Sequence, residues 1–456
     1  MSFAYGFGRR NNIETSPKQL VKVESSEKSL PRNPNIEIIK EKIHEIIMSN
    51  DDLTKIILSD NESAEQQLRN EAQKIISSEG IKINEKDENT IIDELINDIL
   101  GLGPLQPLLD RDDISDIMVK SESKIFIDVN GRNQLTPIRF KNKKHLIEIC
   151  QKIASRVGRK VDHSNPFCDA RLPDGTRVHI AFPPIVIDGP ALTIRKFKKD
   201  KLSLNGIVAS GAISAEGAEL LKLLMRIRCN MIISGGTSSG KTSLLNSLTE
   251  YIDNSENIIT CEDTHELQVK KLNLTNMETR PFSVETGTEV TMRDLVRNTL
   301  RMNPDRVIVG EVRGPEAYDL LWALRSGHRG GNATIHADTP NDALSQLEIM
   351  VSMAKSSLPA DRIRHIVTHA IDIVIQCKKF ADGTRKITHI SEVMNQETDS
   401  LATQDILIFK DAQTGKDGTV TGRHVFQPIT PKIFKLAEFY NEHDKLKKLM
   451  LNGSNN

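Results

Sequence analysis

The octapeptide Gly235-Gly236-Thr237-Ser238-Ser239-Gly240-Lys241-Thr242 constrains this chain more than any other stretch. It fits the phosphate-binding P-loop pattern at every position. An apolar run, Met231-Ile232-Ile233, precedes it, and Ser243-Leu244-Leu245-Asn246-Ser247-Leu248 follows as the first turns of a helix. That strand–loop–helix context separates the motif from a chance glycine-rich turn. Glycines let backbone N–H groups turn inward around a β-phosphate, and the helix N-terminus adds partial positive charge. Lys241 then reaches the β- and γ-phosphates, and the Thr242 hydroxyl suits Mg²⁺. Gly235 through Ser243 are therefore expected to hold a nucleoside triphosphate.

At 456 residues the chain has room for two or three domains with cores of their own. Lys+Arg total 61 against 62 Asp+Glu, so no global field recruits nucleic acid or anionic membrane. Aromatics are 4% of residues, too few for base-stacking platforms. No run of about 18 apolar residues is present to span a bilayer. The first ten residues lack the apolar core of a signal peptide. Cys150, Cys168, Cys229, Cys261 and Cys377 lie far apart with no C-x-x-C pair, which predicts buried thiols in a reducing compartment. A soluble cytoplasmic protein is expected.

Residues 1–35 are polar and proline-punctuated and are expected to be a disordered tail. From 36 to 100 the period turns helical: Ile39, Ile43, Ile46 and Ile47 share one face, as do Ile92, Leu95, Ile96 and Ile99. This predicts a helical subdomain of two to four helices. Gly101-Leu102-Gly103-Pro104 punctuates the chain, and residues 101–197 read as an α+β domain. Its strands are expected at Asp116–Val119, Ile125–Val129 before an Asn130-Gly131 turn, Arg177–Phe182 and Ala191–Arg195, with a helix through Leu146, Ile149 and Ile153. A linker at 198–213 leads to a P-loop domain at 214–440. There strands at Ile258–Thr260, Arg306–Val309 and Ala333–Ile335 alternate with helices, the mark of a parallel α/β sheet covered on both faces. Further strands are expected at Asp372–Ile375 and Asp405–Phe409, then a polar tail at 441–456.

Three later constellations stand where strands should end, which is where ligands bind in such sheets. In Thr260-Cys261-Glu262-Asp263-Thr264-His265-Glu266-Leu267 the acids either order a metal-bound or nucleophilic water, or cap a following helix. In Pro304-Asp305-Arg306-Val307-Ile308-Val309-Gly310-Glu311-Val312-Arg313-Gly314 an apolar strand ends in Glu311, the Walker B arrangement. Such a carboxylate polarises an attacking water or holds Mg²⁺ through water. In Ser326-Gly327-His328-Arg329-Gly330-Gly331-Asn332-Ala333-Thr334-Ile335-His336 a histidine closes the strand. Arg293, Arg297 and Arg301 recur every fourth residue, as a solvated face or a subunit interface.

The order GGTSSGKT, TCEDTHELQ, MNPDRVIVGEVRGPEA, SGHRGGNATIHAD resembles the secretion-ATPase superfamily of type II/IV secretion and type IV pili, where these are the Walker A, Asp, Walker B and His boxes. Upstream, GLGPLQPLLDRDDISDIMV, DARLPDGTRVHIAFPP and ALTIRKF resemble the CpaF/TadA branch that powers tight-adherence (Flp-type) pili. The similarity runs over roughly residues 85 to 430. It implies a RecA-like P-loop domain preceded by a smaller α+β domain and a helical subdomain. It also implies a homohexameric ATP hydrolase using ATP and Mg²⁺, peripheral at the inner face of the inner membrane through a platform protein, with no nucleic-acid partner. Carried over by position, Lys241 and Thr242 bind phosphate and Mg²⁺, Glu311 is the catalytic carboxylate, and Glu262, Asp263 and Glu266 supply the Asp box. His336, with His328 as a second candidate, senses the γ-phosphate. Arg171, Arg177 and Arg195 are candidates for arginines that close over it.

Ser238 stands where many relatives have Gly, Pro315 follows Gly314 where a second Gly is common, and Asp338 replaces a frequent Asn. None removes a group the chemistry depends on. The four-cysteine zinc module of the pilus-extension branch is absent, which fits the CpaF/TadA or the type IV secretion branch. A type IV secretion traffic ATPase is the nearest alternative. A P-loop DNA translocase should show a basic stripe or aromatic loops, and a non-hydrolysing adaptor should lack Glu311 or the Asp box.

Overall fold

The computed structural model describes residues 34–49, 62–78, 83–129, 131–197, 202–283, 287–355, 357–394, 401–415, 420–428 and 431–453. The tail expected at 1–35 lies outside these except for its last two residues, which begin the first helix. Asn130 and residues 198–201 of the expected linker are also outside. The chain divides into two compact units, with the boundary between Pro104 and Leu105. Among the described residues no helix is long and apolar enough to cross a membrane.

The first unit carries helices α1 (Pro34–Met48), α2 (Glu62–Ser78) and α3 (Glu85–Ile99). Their apolar residues recur at three and four positions, so each helix presents one stripe. Ile43 and Ile47, Leu68 and Ala72, and Ile92, Leu95 and Ile96 bury those stripes against one another. Asn84 caps α3 by accepting from the Asp87 amide at 2.8 Å. Acids at Glu85, Asp87 and Glu88 then favour the positive end of the helix.

The second unit opens with a one-turn helix α4 (Gln106–Leu109). An antiparallel sheet follows: β1 (Ile114–Ser121), β2 (Lys124–Val129), β3 (Arg132–Leu135), β4 (Phe167–Arg171), β5 (Arg177–Ala181) and β6 (Ala191–Arg195). Spatial order is β3-β2-β1-β6-β5-β4. Helix α5 (Lys143–Arg156) buries Leu146, Ile149 and Ile153. Alternation sends Val178 and Ile180 of β5 inward, while Arg177 stays half-buried and His179 exposed. Register then does something no sequence pattern announces. Arg171 pairs with Arg177, and Arg177 with Arg195, so the three arginines stand side by side across three strands.

The expected linker holds a short helix, α6 (Leu204–Ala209), capped by Ser203, and α7 (Ala215–Arg226) follows. The remaining strands form a nine-stranded sheet. They are β7 (Met231–Gly235), β8 (Ile258–Glu262), β9 (Leu274–Glu278), β12 (Arg306–Val309), β13 (Asn332–Ile335), β14 (Ile373–Lys379), β15 (Arg385–Met394), β16 (Ala402–Thr414) and β17 (Val420–Phe426), with β10 (Arg280–Ser283) and β11 (Thr288–Val290) as a separate hairpin. Its order is β17-β16-β15-β14-β7-β13-β12-β8-β9. The run from β14 to β9 is parallel, and β15 to β17 extend it antiparallel.

Every residue of β7 and β12 is buried, as a parallel sheet covered on both faces requires. Met231, Ile233 and Ile308 enter one core layer, with α7 and α8 (Lys241–Thr249). Ile232, Val307 and Val309 enter the other, with α9 (Met292–Thr299), α10 (Glu316–Arg325), α11 (Pro340–Ala354) and α12 (Ala360–Ala370). A mixed α/β architecture is what the alternation predicted. Of the polar tail expected at 441–456, the described residues 441–453 are not a simple tail. After α13 (Ile433–Phe439), helix α14 (His443–Gly453) buries Leu446 and Met450 in the first layer. Its lysine-rich outer face hides that short apolar stripe from a composition reading.

Candidate nucleotide site

Strand β7 leads through the glycine-rich loop into α8. Gly235 sits so close to β14 that a Cβ would lie 2.2 Å from the Cys377 carbonyl oxygen, so no side chain is tolerated there. Gly240 takes φ 97° at the helix N-cap, the left-handed region glycine enters freely. Ser238, the departure noted above, also lies in that region at φ 58°. Lys241 is buried, and its Nζ donates to the carbonyls of Gly235 (2.8 Å) and Gly236 (3.1 Å). Burial lowers its ammonium pKa, partly offset by the charge of Glu311.

Parallel pairing places the ends of β7, β13, β12 and β8 in a row, and this assembles the other boxes. His336, just past β13, has Nε2 3.3 Å from Lys241 Nζ and 2.9 Å from Glu311 Oε1. Its turn is held by Gln376 Nε2 donating to the Ala337 carbonyl at 3.0 Å. Thr334 donates to the Gly310 carbonyl at 2.6 Å, locking the end of β12 beside β13. Burial and the Lys241 charge lower the His336 pKa against the pull of Glu311.

Glu311 accepts a 2.6 Å bond from Arg313 Nη2, and Arg313 Nη1 stands 3.5 Å from Asp263. Burial pushes the Glu311 carboxyl up, but Arg313, His336 and Lys241 outweigh it and hold the group below its ordinary value. Asp263 is raised by burial despite Arg313. The motifs gave Arg313 no role, although it stands two residues after Glu311 in the Walker B segment. Glu316 shapes the loop that follows by accepting from the amides of Arg313 (2.7 Å) and Gly314 (2.8 Å).

The Asp-box acids divide. Glu262 is 2% exposed; it accepts from the amides of Glu266 and Leu267, both at 2.8 Å, and pairs with His265 at 2.9 Å. Its carboxylate organises its own loop. Burial raises its pKa against those bonds. No helix follows β8, so the helix-capping reading of this segment falls. Asn246 of α8 ties the loop to the P-loop helix by accepting from the Gln268 amide at 2.8 Å.

The arginine row meets this loop from the smaller sheet. Arg177 pairs with Glu266 at 3.0 Å and donates to the Thr264 carbonyl at 3.0 Å. Arg171 pairs with Glu278 at 2.9 Å. Arg195 pairs with Asp116 at 3.0 Å and also feels the charge of Glu266. Two sequence candidates land elsewhere. His328 precedes β13 while His336 follows it, so His328 sits at the opposite end of the sheet from Lys241. Arg301 lies beyond the end of α9, and Arg293 and Arg297 both grip Asp319 of α10, at 2.6 and 3.0 Å. The stripe is largely an intramolecular clamp.

The loop fits a phosphate chain. Ser239 Oγ is buried without a partner, and the Thr242 hydroxyl makes no hydrogen bond among the described residues. Lys241 meanwhile occupies its ammonium with the loop's own carbonyls. These donors would hold a di- or triphosphate, and the Thr242 oxygen suits a hard cation such as Mg²⁺.

A parallel sheet whose inner strand runs through such a loop into a Lys-Thr-led helix, with a carboxylate at the end of a neighbouring strand, defines the P-loop class. Within it, residues 98–419 match the type II/IV secretion system protein family, and the chain belongs to that family. It is 32% identical over 313 residues to the type IV secretion system protein PtlH of Bordetella pertussis, covering 62% of this chain and 91% of that protein. It is 29% identical over 297 residues to the conjugal transfer protein TrbB of Rhizobium radiobacter, covering 63% and 87%. Among solved structures, the VirB11 ATPase of the Brucella suis type IV secretion system matches 63% of this chain and 94% of its own at 27% identity and a TM-score of 0.35.

Proposed function

We propose that the chain is an ATP hydrolase that works as a ring motor for a type II/IV secretion or pilus machine. The observation that carries this reading is the contiguous line Lys241–His336–Glu311–Arg313–Asp263, which joins all four boxes at the ends of adjacent strands. Lys241 and the loop amides would hold the β- and γ-phosphates. Thr242 would hold Mg²⁺, which when bound neutralises phosphate charge. Glu311 accepts the proton of the attacking water once Arg313 turns from its carboxylate toward the incoming negative charge. His336 stands between Lys241 and Glu311, so it reports the state of one to the other. Asp263 and Glu266 tune the arginines, and Glu262 keeps the loop in place.

The arginine row supplies the coupling. Arg171, Arg177 and Arg195 rest on carboxylates in this conformation, and a nucleotide phosphate would compete for them. Exchange between these partners would move the smaller sheet against the P-loop sheet. The load is read in two ways. The upstream motifs favour assembly of a tight-adherence pilus of the CpaF/TadA type. The names of the relatives, a type IV secretion protein and a conjugal transfer protein, favour a type IV secretion traffic ATPase. In either case a homohexamer docked on an inner-membrane platform protein is proposed.

The test is ATPase rate against protein concentration, with native mass measured in parallel. A rate per subunit that climbs as hexamers form supports the ring motor. Concentration-independent hydrolysis by a monomer removes the ring, and no hydrolysis at any mass removes the enzyme.

A further inference from the structure

Arg385 carries no motif signal, yet it reaches the phosphate loop from outside the four boxes. Strand β14 runs parallel to β7 with Cys377 opposite Gly235, so the hairpin joining β14 to β15 projects beside the P-loop. That hairpin is firmly built. Phe380 and Thr384 close its turn at 2.8 Å, Asp382 accepts from the Thr384 amide at 2.9 Å, and its other oxygen accepts from the Val420 amide at 2.7 Å. Lys379 ties the hairpin to the turn between β2 and β3 by donating to the Gly131 carbonyl at 3.2 Å. From the first residue of β15, Arg385 Nε donates to the Ser238 carbonyl at 2.8 Å, and its Cδ would lie 3.5 Å from a Cβ at Gly240. No carboxylate among the described residues pairs with Arg385.

Ser238 is the P-loop residue whose backbone is strained, since a serine at φ 58° occupies a region that only glycine enters freely. Something outside the residue must hold it there, and among the described residues the side chain bonded to its carbonyl is Arg385. We propose that Arg385 is a positioning residue for the nucleotide site, holding the Ser238 peptide so that the loop keeps its phosphate-binding shape. The inference rests on the nucleotide-binding reading and deepens it. It also links the loop to the smaller sheet through Lys379.

The test is equilibrium binding of a fluorescent ADP (N-methylanthraniloyl-ADP) to full-length wild type, Arg385→Ala, Ser238→Gly and the double variant, with melting temperatures recorded. Arg385→Ala should weaken binding about tenfold, the scale of an unsupported left-handed residue, and should raise KM for ATP far more than it lowers kcat. In the Ser238→Gly background the same change should cost less than about threefold, because glycine no longer needs the support. Equal binding by wild type and Arg385→Ala overturns the proposal alone. A tenfold loss that persists in the Ser238→Gly background also overturns it, because Arg385 would then contact the nucleotide directly. Wild type that fails to bind the probe overturns this proposal together with the nucleotide reading.

Discussion

The two ends of the parallel sheet carry charged residues of the same kinds and use them in opposite ways. Where the strands begin, Arg306 is 0% exposed, bonded to Glu256 at 2.6 and 3.0 Å and to the Met225 and Gly330 carbonyls. Arg228 donates to the Asp305 carbonyl at 2.6 Å, and Asp372 takes both the Asn230 amide and Arg329. Fixed backbone and acids together bind the charges there. Where the strands end, the Arg313 side chain is 62% exposed and holds Glu311 and Asp263 by side-chain contacts alone. Lys241 spends its bonds on loop carbonyls, and Ser239 Oγ has none. At the first end backbone carbonyls and acids pin the arginines, although Arg329 Nε, His328 Nδ1 and Asn332 Oδ1 there are buried without a partner among the described residues. The other holds partners that a ligand can displace, and that difference marks function better than charge does.

The comparison can be broken first from the end where the strands begin. Arg306→Ala leaves Glu256 without its main partner and should cost about 3–5 kcal/mol of stability, the scale for breaking a buried pair. A denaturant melt that moves by less than about 1 kcal/mol would show that this end is not the lock described.

A smaller effect is expected at the exchangeable end. Burial raises the Glu311 carboxyl and Arg313, His336 and Lys241 together more than reverse it, so removing the arginine takes away the strongest of the groups that lower it. The folded carboxyl then ionises at higher pH. For Arg313→Ala the acid limb of kcat/KM should therefore move to higher pH, with little change in melting temperature. An unmoved limb would mean that Arg313 does not govern Glu311.

The smallest effect belongs to Arg297, whose half-exposed side chain shares Asp319 with Arg293. Arg297→Ala should change stability by about 0.5 kcal/mol or less. Sedimentation of the same variant sharpens the point: loss of the oligomer would restore the subunit-interface reading of that stripe.

Much of the site was legible because its parts end buried strands. Met231–Ile233 and Arg306–Val309 are apolar enough to locate β7 and β12, and the residues that follow them fall at the ligand-binding end by the rules of parallel sheets. Partner choice was not legible. Nothing in the spacing tells that Glu262 turns into its own loop while Glu311 faces Arg313, since both are strand-terminal glutamates. His328 and His336 look alike in sequence, and only the extent of β13 puts them at opposite ends. Register hid the arginine row, and the hairpin that carries Arg385 lies outside every box. Helix α14 was missed because two buried apolar residues among lysines do not outweigh a polar composition.

The most direct test takes ATP turnover and melting temperature on the same preparations of Glu311→Gln and Arg306→Met. Glu311→Gln should lose turnover at least about a hundredfold and melt with wild type. Arg306→Met should melt differently yet turn over normally at temperatures where it is folded. Wild-type turnover by Glu311→Gln, or turnover lost by folded Arg306→Met, would contradict the division between the two ends of the sheet.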